Sequence, residues 1–137
     1  MNKMYCQTAL LTASLLIAIP SFAAEPSLSA QAMQKNKTVV METEYPAGHV
    51  TRIVKTVVPA DAQAPLHEHP GIESGYILSG GGTLYVQGQP DRELKPGEAA
   101  LVPPYTPHWF KNGHQETVIL STYVLESGKD PMTLLKP

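Results

Sequence analysis

The chain has one cysteine, Cys6, in 137 residues, so no disulfide within the chain can brace the fold. It also lacks a Gly-x-Ser-x-Gly elbow and any glycine-rich loop set ahead of a helix to cradle phosphate. Gly80-Gly81-Gly82 lies between two strand-like runs and reads as a hairpin turn. Lys and Arg number ten against twelve Asp and Glu and form no basic run, which removes the electrostatic footprint of a nucleic-acid-binding protein. Long helical periodicity and internal repeats are missing as well.

Long apolar runs are scarce, and the one present is at the N-terminus. Lys3 precedes Ala9 to Ile19, Pro20 breaks the run, and Ser21-Phe22-Ala23 offers small residues at the −3 and −1 positions of a cleavage site. This predicts a secretory signal peptide over 1–23 and an exported, periplasmic or secreted protein. The alternative, an uncleaved anchor, needs about 20 apolar residues, more than this run supplies. Cys6 leaves with the peptide, so a metal site in the mature chain must use nitrogen and oxygen ligands. No membrane-spanning segment then remains, and the rest is long enough for one domain with its own core.

Residues 24–37 are polar and rich in Ser and Ala, predicting an N-terminal arm. From residue 38 to 137 the pattern changes to short β-branched runs divided by Gly/Pro turns. Strands are expected at Thr38–Tyr45, Val50–Val58, Tyr76–Leu78, Thr83–Gln87, Ala99–Val102, His108–Lys111 and Thr117–Leu125. Turns are expected at Pro46-Ala47-Gly48, Gln89-Pro90-Asp91 and Lys95-Pro96-Gly97-Glu98. The fold class that follows is all-β, a sandwich or barrel.

What is present in quantity is metal-ligand chemistry. His67 and His69 share strand parity and so point the same way, and Glu73 has that parity beyond the bend at Pro70-Gly71. Two imidazoles and a carboxylate need one more ligand from another strand, and His108 supplies it. Glu68 has the opposite parity and should point away. His49 and His114 sit among turn residues and read as solvated loop histidines. Ile77 and Phe110 share the faces of Glu73 and His108, where ordinary packing is the simpler role. Tyr85 and Tyr123 could reach either the core or a cavity. Arg52 is the best-placed cation for gripping an anion, yet an exposed salt bridge is its simpler use.

These residues resemble the cupin superfamily, over roughly Val50 to Val124. Its first motif is met by His67, His69, Glu73 and Gly80, and its second by Gly97, Pro103, His108 and Asn112, all at the family's spacing. Two glycines of the pattern are replaced, by Asp61 and by Tyr105. Tyrosine is disfavoured at positive φ, so the Tyr105 turn is expected to differ locally and to place a phenol near the pocket mouth. The chain also looks like the small exported single-domain cupins. The resemblance implies an antiparallel jelly-roll barrel of about six to eight strands holding a divalent metal (Fe, Mn, Ni, Cu or Zn) on His67, His69, Glu73 and His108, and a homodimer. Glu73 is either a ligand or a catalytic base.

Three functions fit that ligand set. One is a metalloenzyme acting on a small organic molecule, by O₂ chemistry as a dioxygenase or by Lewis-acid chemistry as an isomerase, decarboxylase or lyase. A second is a small-molecule binding or sensing module without turnover. The third is a barrel in which the metal is only structural. A fold alone does not choose among them.

Overall fold

The computed structural model describes residues 36–136. The expected signal peptide and nearly all of the arm lie outside the described residues, and Lys37, placed at the end of the arm, instead opens the first strand. Ten strands follow: β1 (Lys37–Thr43), β2 (His49–Val58), β3 (His67–Glu68), β4 (Gly71–Ser79), β5 (Gly82–Val86), β6 (Arg92–Leu94), β7 (Ala99–Val102), β8 (His108–Asn112), β9 (Thr117–Glu126) and β10 (Thr133–Leu134). They form two antiparallel sheets of five strands, ordered β1-β2-β9-β4-β7 and β10-β3-β8-β5-β6. The all-β antiparallel jelly roll is as expected. The strand count exceeds the expected range through β3, β6 and β10, which have only two or three residues each. Runs that short carry no periodicity to read.

The spine is the pairing of β2 with β9, continuous from His49↔Glu126 to Val58↔Thr117. Strand alternation sorts both: Val54, Thr56 and Val58 are buried on β2, and Thr117, Ser121, Tyr123 and Leu125 on β9. Ile77 of β4, Val86 of β5, Val102 of β7 and Phe110 of β8 face them from the other strands and complete the apolar core. Their outward neighbours Tyr76, Leu78 and Leu101 are exposed. Trp109 points outward too, and stacks on Tyr85 with ring centroids 3.7 Å apart.

Two residues fix how closely the strands approach. A Cβ on Gly71 would lie 1.9 Å from the Val124 carbonyl oxygen, so only glycine lets β4 start this close to β9, two residues before Glu73. Asn112 is buried; its side-chain amide donates to the carbonyls of Val58, Pro59 and Gln115 at 3.0, 2.7 and 2.9 Å, and its Oδ1 accepts from Thr117. A single side chain thus stitches the end of β8 to the end of β2 and the start of β9, satisfying carbonyls that would otherwise be buried unpaired.

Asp61 and Tyr105 keep the conformation that glycine would supply, with φ of 60° and 53°. The expectation for Tyr105 is corrected on both counts. The turn keeps its left-handed residue because the Tyr105 N–H donates to the His69 carbonyl at 2.8 Å. The phenol turns to the surface, where it donates to Glu126 at 2.5 Å and accepts from Lys129 at 2.7 Å.

Candidate metal centre

The four residues predicted as ligands come from three strands and the bend between two of them. His67 lies on β3, His69 in the bend after it, Glu73 on β4, and His108 on β8, directly paired with His67. One ligand atom from each lies within 4.8 Å of all the others. All three imidazoles are buried and Glu73 is nearly so. Glu68 and His114 lie outside this group; His114 is exposed and its Nδ1 meets Asp61 Oδ1 at 2.6 Å. His49 is corrected: it opens β2 instead of occupying the turn, because the Pro46-Ala47-Gly48 turn closes just before it, and it is half-buried.

Backbone carbonyls fix the orientation of every imidazole. His67 Nδ1 lies 2.7 Å from the Pro65 carbonyl, His69 Nδ1 2.7 Å from that of Pro131, and His108 Nδ1 2.8 Å from that of Thr106. A carbonyl only accepts, so each Nδ1 carries a proton and each ring turns its Nε2 edge inward. The Glu73 carboxylate faces two of them: Oε2 is 3.1 Å from His69 Nε2 and 3.3 Å from His108 Nε2. His69 Nε2 is not aligned for a hydrogen bond to Glu73 and is a buried nitrogen without a hydrogen-bond partner. A cation at the point where they converge would satisfy the orphaned His69 nitrogen and the carboxylate together. Nitrogen and oxygen donors with fixed second partners suit a divalent transition metal, so the residues present fit one.

The electrostatics point the same way. Burial, then the neighbouring His108, push the His67 imidazole down to about 3, so it is neutral at ordinary pH and free to ligate. Burial would raise Glu73, but His108 and His69 beside its carboxylate outweigh that and hold it well below the usual range. Its other oxygen, Oε1, accepts from Ser121 at 3.0 Å and from the Tyr123 phenol at 2.8 Å. Burial and then the Glu73 charge push that phenol well above its ordinary value, so it stays a donor.

A cavity of about 90 Å³ adjoins the cluster, lined by His67, Glu73, His108, Tyr123 and a mostly apolar wall that includes Val58, Ala64, Ile77 and Phe110. Ile77 and Phe110 therefore both pack and line the cavity. Three participants were not identified from sequence: Ser121 and Tyr123 as partners of Glu73, and Lys37, which also lines the cavity. The shared parity of Ser121 and Tyr123 with Thr117 was the available signal. Arg52 does not reach the cavity and pairs with Glu42 across β1 and β2, as the simpler reading had it.

The cupin domain model matches residues 54–125. The chain is a cupin. Among solved structures it is similar to the DMSP lyase DddQ from Ruegeria pomeroyi, at 25% identity with a TM-score of 0.58, covering 64% of this chain and 44% of that one. It thus spans less than half of that lyase. It is similar also to a cupin-like protein from Thermotoga maritima, at 23% identity and a TM-score of 0.59 over 72% of this chain and 74% of that one. A third is the polyketide cyclase RemF from Streptomyces resistomycificus, at 24% identity and a TM-score of 0.56 over 74% and 70% of the two chains. No curated protein matches the sequence.

Proposed function

We propose that this cupin is a metal-dependent enzyme acting on a small organic molecule, with His67, His69, Glu73 and His108 holding a divalent transition metal. The observation that carries the reading is the set of three inward Nε2 atoms and one carboxylate at the wall of a small apolar cavity. Four ligands leave room on a six-coordinate ion for a substrate atom, and the cavity is where that atom would come from. A purely structural site would be closed on all sides.

When bound, the metal supplies Lewis acidity or, as Fe(II), O₂ activation. The residues of the chain do the rest. Backbone carbonyls at Pro65, Pro131 and Thr106 hold the imidazoles in register. Glu73 is a ligand rather than a base in this reading, because a carboxylate held so far below its usual range is a poor proton acceptor. Tyr123 and Ser121 hold its second oxygen by donating to it. The apolar wall excludes bulk water and strengthens every charge interaction inside.

Export by the N-terminal segment and homodimer formation belong to the same proposal. Val39, Val40 and Met41 are exposed on the edge strand β1, which supports pairing with a second copy. The decisive experiment is metal analysis of protein matured in the exported compartment, followed by turnover and O₂-uptake assays on a panel of small molecules. Stoichiometric metal with metal-dependent turnover is expected. Protein that carries no metal and binds none would end the proposal; metal with ligand binding but no turnover would assign a binding module.

A further inference from the structure

Lys37 is the one cation lining the cavity beside the cluster. It opens β1 opposite Thr56 of β2, and it is half-buried. Among the described residues its ammonium has no hydrogen-bond or ion-pair partner, whereas Arg52, two register positions along the same pair of strands from Val54, is committed to Glu42. Lys37 and Tyr123 also line a second, outer hollow of about 270 Å³ beside His69, which Arg52 lines as well; of these, Lys37 and Tyr123 line the inner cavity too.

An ammonium turned toward an apolar cavity loses hydration that nothing in the cavity wall replaces, except the charge of Glu73. A divalent ion on Glu73 would remove that compensation as well. The arrangement is therefore short of one anionic group. We propose that Lys37 binds the carboxylate of the substrate, and that the substrate class is a small monocarboxylate whose apolar body fills the inner cavity. This rests on the metalloenzyme reading above and narrows it.

Size and charge select that class. A cavity of about 90 Å³ suits a short body. A phosphate would demand a bidentate arginine or several backbone donors, and the cavity offers one point charge. The apolar part of the wall, Val58, Ala64, Ile77 and Phe110, supplies no partner for a second charge, which would have to reach the metal instead.

The test compares propionate with propionamide, equal in shape but not in charge, by calorimetric titration of zinc-loaded wild type and Lys37→Met. Methionine keeps the length of the stem and removes the charge. Lys37→Met is expected to weaken propionate at least about tenfold, to change propionamide less than about twofold, and to retain the zinc content of wild type. A variant that binds both probes as wild type does, or that loses both equally, overturns the proposal. Should Lys37→Met lose its strand signal in circular dichroism, Lys37→Gln carries the same comparison. If wild type takes up neither zinc nor any of the other candidate metals, the metalloenzyme reading fails by itself, and the same pair of probes on metal-free protein still decides the role of Lys37.

Discussion

Stripping the metal and lowering the pH should unfold this protein through His67. Its imidazole is held near 3 in the fold against 6.5 for an unperturbed histidine, chiefly by burial and then by His108. Between those values the unfolded chain binds a proton that the folded chain refuses, so stability must fall as pH falls. The sign is fixed: above 6.5 the group is neutral in both states and contributes nothing, and the loss grows downward through the window. One pKa unit is about 1.4 kcal/mol, giving a loss of about 2 kcal/mol by pH 5 and approaching about 5 kcal/mol near pH 3. Glu73 adds a loss of the same sign below its ordinary range, since its folded value is also depressed. Urea unfolding in chelator at pH 7.5, 6 and 5, followed by the fluorescence of the lone tryptophan, Trp109, measures this. His67→Asn should flatten the slope above pH 5. Stability that stays constant or rises between pH 7.5 and 5 in wild type would refute the reasoning.

His108→Ala should abolish tight metal binding, and with it the stabilisation by mass action of about 2.7 kcal/mol at a hundredfold excess of metal over Kd; melting scans with and without chelator check this. His114→Ala, fully outside the cluster, should change neither metal content nor melting beyond about 0.5 kcal/mol. Tyr123→Phe deletes a donor to Glu73 Oε1 and should weaken metal affinity by about 10- to 100-fold, read by competition with a chromogenic chelator. Gly71→Ala drives a Cβ into the Val124 carbonyl and should cost more than about 3 kcal/mol in denaturant unfolding, because backbone rather than a side chain must move.

The longer strands were legible because burial on one face writes a period of two into the sequence. Val54, Thr56 and Val58 on β2 and His108, Phe110 and Asn112 on β8 alternate as their parity predicts. Strands β3, β6 and β10 were not, since two or three residues fix no period. The ligand group was legible for the same reason: His67 and His69 share a face by parity, and a β8 histidine pairs directly with one of them. The partners of that group were not. Tyr123 reaches Glu73 because β9 lies between β2 and β4, and a sheet order is set by tertiary packing, not by local pattern. Lys37 was hidden by its polar neighbours, which read as an arm, although its pairing with Thr56 carries it to the cavity.

Asp61 and Tyr105 separate two reasons for a glycine. Gly71 is needed for space, since any Cβ there meets the Val124 carbonyl. At Asp61 and Tyr105 the requirement is only conformational, a positive φ that costs an L-residue roughly 1–2 kcal/mol. Each side chain then makes contacts that glycine could not: Asp61 with His114, and Tyr105 with Glu126 and Lys129. The Tyr105 backbone also donates to the carbonyl of His69, so the strained turn bears directly on a ligand residue. The strain at that turn is therefore held in place from two sides, by a surface cluster and by the bend that carries His69. Replacing the motif glycine here leaves the inward path of His69 and His108 unchanged, because conformation, not side-chain volume, is what the turn passes on to the site.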